Sequence, residues 1–247
     1  MCRRNLVFSI VALTFLLGFD SAQATLNFPT GLTASNRGQI LSILGYGTAV
    51  KVLDDPYPLG GYSGVEVGLT QESIQTDQIA GLGNKSTLQS QINYNLLTIG
   101  KGIYNNLDTF VQFAFLGQQE NFSHFGGQAR WSFYQAEYLP IYTSLLVHGS
   151  STNFGNLVTT STLGLDIILG VHEGDLTLYF GGGLLRGSGI FTGGTGGVTD
   201  SGNTEQNGVI DNRFLAGLNI KIQKAFVAFE LDRAYLPTYA LKLGVRF

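Results

Sequence analysis

The sequence predicts an all-β chain in which the strands close into one antiparallel, up-and-down transmembrane β-barrel, preceded by a short helical segment. Between Gly61 and Phe247, stretches of about ten residues alternate apolar and polar side chains, which puts the two sets on opposite faces of a strand. Turn-rich links separate them, in a chain carrying 34 glycines among 247 residues. Ten such stretches can be traced, an even number that returns the last strand to the side of the first; counts of eight or twelve stay open. Composition excludes other classes. A net charge of -3 leaves no basic footprint for nucleic acid, and beyond the N-terminus no apolar run reaches the roughly 18 residues of a membrane helix.

The two ends add an address. Arg3 and Arg4, the apolar run Leu6 to Phe19 and the small-residue pattern Ala22-Gln23-Ala24 read as a secretory signal peptide over residues 1–24, cleaved after Ala24. The run is short for an anchoring helix. The single cysteine, Cys2, lies inside that leader, so the exported chain has no thiol for disulfides, metal binding or nucleophilic attack. At the other end, Tyr239 to Phe247 place apolar side chains at every odd position. This ending resembles the C-terminal signature of bacterial outer-membrane β-barrel proteins. The resemblance implies a Gram-negative cell-envelope location, contact with outer-membrane lipid and lipopolysaccharide, and recognition of Phe247 by the outer-membrane assembly machinery. It points to no subfamily and no oligomeric state.

Residues 25–60 do not alternate. Thr33 can cap a short helix through Leu44 with Ile40, Leu41 and Leu44 on one face, and Gly38 weakens that helix by about 1 kcal/mol relative to alanine. Thr48 to Leu53 and the turn-rich Asp54 to Gly61 follow. An apolar helix face must be covered, so this segment is expected either to fold into the barrel as a plug or to form a periplasmic lid or loose arm. The barrel domain then occupies 61–247.

The strands follow in order. The first sets Ser63, Val65, Val67 and Leu69 against Glu66, Gly68 and Thr70; the second sets Leu88, Ile92, Tyr94 and Leu96 against Gln89, Gln91, Asn93 and Asn95. The third and fourth turn Thr109, Val111, Phe113 and Phe115, then Ala129, Trp131 and Phe133, away from Asp108, Gln112 and Ala114, and Gln128, Arg130 and Ser132. The fifth and sixth put Ile141, Leu145 and Val147, then Leu163, Leu165, Ile167 and Leu169, outward. In the seventh and eighth Leu176, Leu178, Phe180 and Leu184, then Phe214, Ala216, Leu218 and Ile220, take that role. The ninth shows Val227, Phe229 and Leu231, and the tenth ends at Phe247.

Short links at 100–106, 135–140, 170–175 and 222–225 are the expected periplasmic turns, and 73–86, 117–126, 150–156, 187–208 and the tight 234–237 the outer loops. Tyr104, Tyr138, Phe226 and Phe247 would form the inner aromatic belt, with Phe125, Phe154 and Tyr235 near the outer one.

On this register the wall sends inward Glu66, Asp108, Asp166, Glu230 and Asp232 against Arg130, Arg213, Lys221, Lys242 and Arg246. Five charges of each sign can pair across a narrow lumen, which fills space, whereas an ion-selective pore more often carries an excess of one sign. A structural or surface-interaction barrel with a filled or plugged lumen is the leading expectation, and a narrow passive channel for ions or small solutes the alternative.

A rim-located hydrolase is the weakest reading. His148, Asp77, Asp211 and Asp232 do not reproduce the spacing of omptin-type outer-membrane proteases, and no histidine follows His172 where outer-membrane lipid A deacylases need one. His124 and His172 read as solvated loop residues. Three scattered histidines make no metal site, no phosphate-loop motif occurs, and Gly193 to Asp200, with Val198 where a calcium nonapeptide needs aspartate, reads as a mobile surface loop. Asn84-Lys85-Ser86 and Asn121-Phe122-Ser123 are glycosylation sequons by pattern only and mean little in a bacterial outer membrane. No cofactor and no catalytic residue is expected.

Overall fold

The computed structural model describes residues 26–84, 86–114, 121–200 and 202–247. The expected leader 1–24 with its cleavage residue Ala24, and also Thr25, Lys85, Phe115 and residues 117–120 of one expected outer loop, lie outside the described residues.

Ten antiparallel strands form one closed barrel: β1 (Val65–Gln75), β2 (Gln91–Tyr104), β3 (Leu107–Ala114), β4 (Phe122–Gln135), β5 (Ile141–Phe154), β6 (Val158–Glu173), β7 (Leu176–Phe191), β8 (Thr204–Ile222), β9 (Ala225–Arg233) and β10 (Pro237–Arg246). Each pairs with its sequence neighbours, and closure comes from β1 on β10, from Glu66 opposite Arg246 to Ile74 opposite Thr238. Closure leaves no unpaired edge, which is what a hydrocarbon solvent demands of a sheet. One end carries tight turns at Asn105-Asn106, Gly174-Asp175 and Gln223-Lys224. The other carries the longer connections 76–90 and 192–203 beside three-residue links at 155–157 and 234–236, and 76–90 holds the single turn of helix α2 (Asp77–Ala80). The tight-turn residues Gly174 and Gln223 sit at φ of 60° and 61°, the left-handed values such turns require.

The outer surface is apolar over its middle. Leu163, Ile167, Leu178, Phe180, Leu184 and Phe214 are all at least half exposed, reaching 68% at Phe214. A contiguous apolar belt of this kind is incompatible with water at about 25 cal/mol per Å² and calls for lipid. Tyr104, Tyr138 and Phe247 project outward at the tight-turn end, and Phe125 and Tyr235 toward the other. Two expected belt residues do not: Phe226 and Phe154 are buried, facing the lumen, because both fall on the inward parity of their strands.

One strand reverses the sequence expectation. In β2, Ile92, Tyr94 and Leu96 point into the barrel while Gln91 and Asn93 are exposed outside; Leu97 and Ile99 then supply the outward apolar pair. The reason lies inside, where an apolar partner occupies the upper lumen.

Many glycines serve close packing of that lumen. Tyr142 lies opposite Gly170 and Tyr179 opposite Gly217, and a Cβ on either glycine would sit 2.3 or 2.2 Å from the ring. Phe226 covers Gly244 and Phe110 covers Gly100 in the same way. An aromatic laid over a cross-strand glycine pins register while filling space.

Candidate functional site: the occupied lumen

The chain segment before β1 lies inside the barrel. Helix α1 (Ala34–Ile40) is capped by Thr33, whose Oγ1 accepts the Asn36 N–H at 3.3 Å, and continues as a π-turn over Leu41–Gly45. Ile40, Ile43 and Leu44 are fully buried in a cluster with Ile74, Ile92, Tyr94, Leu96, Phe154, Val158 and Phe191. This explains β2: at the long-loop end the barrel wall must be apolar inside, since it faces the apolar side of α1. The residues leading into α1 bond to the long loops, with Asn84 N–H donating to the Thr30 carbonyl at 2.9 Å and Leu32 N–H to the Val198 carbonyl at 3.1 Å. Val198 and Thr199 are buried by this contact, so the glycine-rich stretch is docked and not the mobile surface loop expected.

Residues 46–60 then descend the lumen toward the tight-turn end, where the 3₁₀ turn Gly61–Ser63 leads into β1. Polar groups of the wall meet this stretch along its length. The Ser150 hydroxyl donates to the Thr48 carbonyl at 2.9 Å, and Arg213 Nη2 to the Val50 carbonyl at 2.9 Å. Glu230 Oε2 accepts the successive N–H groups of Val52 and Leu53, both at 3.0 Å, and the Tyr179 hydroxyl at 2.8 Å. Leu53, at φ 45°, turns there. Asp108 accepts the Leu59 N–H at 3.1 Å. Side chains of the segment join in: Lys51 pairs with Asp232 at 2.9 Å, Asp54 with Arg130 at 2.6 Å, and Asp55 accepts the Tyr142 hydroxyl at 2.9 Å.

Nine of the ten wall charges expected inward are gathered in this network. Glu66 takes Lys242 at 2.7 Å and Arg246 at 2.8 Å. Arg130 bridges Asp54 and Asp108, its guanidinium 4.9 Å over the Phe110 ring. Arg213 spans Asp166 at 2.8 Å and Asp232 at 3.0 Å, with Glu230 at 3.6 Å. Lys221 stands apart, exposed at the tight-turn mouth because it is the last inward position of β8.

Sequence reasoning missed Lys51, Asp54, Asp55 and Glu72. Glu72 shares the parity of Glu66 and Thr70 and is buried with its Oε2 accepting the Tyr94 hydroxyl at 2.6 Å; carrying the β1 alternation two residues further would have found it. The segment charges had a weaker signal, three charged residues in a stretch outside any strand. With them, eight buried carboxylates face four buried cations among the described residues, Arg246 being partly exposed. The surplus acids are held by backbone N–H and tyrosine hydroxyls, which stabilise a buried carboxylate as a cation would.

The histidines are placed differently from expectation. His124 is no solvated loop residue: it is buried on β4, between the Gln112 amide at 3.0 Å and the Thr152 hydroxyl at 2.8 Å. His172 is half-exposed, against Thr177 and 3.7 Å from Asp55. His148 is locked between Asp166 and Arg213, each at 3.0 Å, and buried. Among the described residues no group of three metal-ligating side chains is gathered to hold an ion.

A closed antiparallel barrel with a lipid-compatible belt and a charged interior is the architecture of an outer-membrane β-barrel protein. By sequence, no family model and no curated protein matches the chain. Among solved structures, the chain is similar to the attachment invasion locus protein Ail of Yersinia pestis, at 15% identity over 74% of this chain and 97% of that one, with a TM-score of 0.34. It is similar also to the N-terminal β-barrel domain of Pseudomonas aeruginosa OprF, at 14% identity over 76% and 99% with a TM-score of 0.34. A third is the Acinetobacter baumannii outer membrane protein Omp33, at 10% identity over 74% and 97% with a TM-score of 0.32.

Proposed function

We propose that the chain is an exported outer-membrane barrel whose N-terminal segment closes its lumen, so that it serves a structural or surface-interaction role and does not transport or catalyse. The observation that carries this reading is the clamp along residues 48–59, where wall carboxylates and guanidinium groups hold backbone and side chains of the segment at successive levels. Ion pairs of this kind are costly to break from one side. The non-enzymatic part is supported by His148 and Asp232, which are consumed in the Arg213 cluster. Contact with outer-membrane lipid and lipopolysaccharide follows from the apolar belt, and delivery through the C-terminal strand and Phe247 from its alternation. Cleavage after Ala24 completes the reading.

A narrow passive channel is the second reading. It is favoured by Thr70 Oγ1, Glu72 Oε1 and Gln128 Oε1, buried oxygens of the β1 to β4 wall that bond to no protein group and suit a thread of water. Single-channel recording of the refolded protein in planar bilayers decides between them. Silence is expected; steady conductance overturns the closed lumen.

A further inference from the structure

At the tight-turn mouth, below the segment, lies a cavity of about 640 Å³, within the range of small-ligand sites. Its lining includes Tyr57, Tyr142, His172, Lys221, Lys224 and Arg246. We propose that this cavity is a binding site for a small polyanion, a molecule presenting two or more carboxylate or phosphate groups. The proposal rests on the segment lying in the lumen, because Asp55 to Leu59 form the cavity's roof.

The charge pattern carries it. Deeper in the lumen every buried cation meets a carboxylate within about 3 Å: Lys51 with Asp232, Arg130 with Asp54, Arg213 with Asp166, Lys242 with Glu66. At the cavity this pairing stops. Neither Lys221 nor Lys224 is paired with a carboxylate among the described residues; Lys224 lies 5.1 Å over the Phe247 ring, an arrangement that positions its ammonium without neutralising it. Arg246 spends Nε and Nη2 on Glu66 and leaves Nη1 with Asp55 at 3.9 Å. The one acidic side chain lining the cavity, Asp55, is taken up by the Tyr142 hydroxyl, the Tyr57 N–H at 3.2 Å and His172. Two free ammonium groups thus face a concave space walled by Tyr57 and Tyr142, whose rings meet edge to face at 5.1 Å. Convergent cations over a partly apolar wall favour a ligand with more than one anionic group.

The ligand's chemistry is shared by a soluble anion of the periplasm and by an anionic lipid headgroup of the inner leaflet. The test is calorimetric titration of the refolded protein in zwitterionic micelles with sodium pyrophosphate and with citrate. Saturable binding is expected, weakened roughly tenfold or more in Lys221→Gln/Lys224→Gln, since two charge-assisted contacts are removed. Lys101→Gln, on the outer face of β2 at the same end, is expected to bind as the unaltered protein does. Both lysines are exposed, so folding of the double variant is checked by its circular dichroism. Repeating the titration in phosphatidylcholine vesicles with and without phosphatidylglycerol separates the sources: suppression by phosphatidylglycerol assigns the site to a headgroup, and undiminished binding to a soluble anion. Absence of saturable heat with both probes, or equal binding by the folded double variant, overturns the proposal.

Discussion

Glu230→Ala tests how the segment is held. Among the described residues, Glu230 is the only side chain whose one oxygen receives two successive backbone N–H groups of the segment, Val52 and Leu53. Hydrogen bonds to a charged group contribute about 1.5–3 kcal/mol each, so truncation removes about 3–6 kcal/mol from local docking. Leu53 sits at φ 45°, a left-handed value that costs a non-glycine residue roughly 1–2 kcal/mol and is relieved when the segment leaves. At about 1.4 kcal/mol per power of ten, hydrogen exchange at the Val52 and Leu53 amides is expected to rise by about 10² to 10⁴.

The Leu59 amide, held by Asp108, is an internal control. In Glu230→Ala its exchange should rise far less than that of Val52 and Leu53, and barrel amides of β5 and β6 should not change. Unchanged protection at Val52 and Leu53 would refute the clamp. Equal loss across segment and wall would refute its locality, by showing that Glu230 supports the barrel as a whole.

Three further outcomes are expected. Arg213→Leu leaves Asp166, Glu230 and Asp232 facing one another with Lys51 and His148 as the basic side chains nearby, and a loss of about 3–5 kcal/mol should lower the urea midpoint of refolded protein while Arg213→Lys retains part of it; an unchanged midpoint contradicts the network. On intact cells, a membrane-impermeant maleimide should label Ser35→Cys, exposed in the first turn of α1, and spare the fully buried Ala49→Cys; equal labelling would mean an open lumen. Gly217→Ala puts a Cβ 2.2 Å from the Tyr179 ring, and displacement of that ring, with its bond to Glu230, should cost about 1–3 kcal/mol of stability, measurable as a shifted urea midpoint that Gly202→Ala, with open space around it, does not show.

How much of this was legible depended on which physical signal each part left. The ten strands were, because a lipid outside and a polar inside impose period two on any spanning strand, and nine kept the expected faces. In β2 the alternation is present but its sign is ambiguous: period two cannot say which face meets lipid. The crossover is written locally, at Leu96-Leu97, where two adjacent apolar residues mark the level at which the inside changes from apolar to polar. The wall charges were readable for the same reason as the strands. Lys51, Asp54 and Asp55 were not, since an irregular segment has no period and its partners lie far away in sequence, 76 residues from Asp54 to Arg130.

The reversal in β2 and the position of α1 are one fact seen from two sides. The lumen is layered: apolar around Ile40, Ile43 and Leu44 at the long-loop end, charged through the middle, cationic and open at the tight-turn mouth. Apolar burial supplies attraction without direction, so the upper layer alone would let α1 slide or rotate. The charged layer is directional. Asp54 on Arg130, Lys51 on Asp232 and the Glu230 clamp accept one depth of the segment, because a shift by one residue would strand buried charges at several kcal/mol each. The apolar layer holds the segment in the barrel, and the ionic layer sets where it stops.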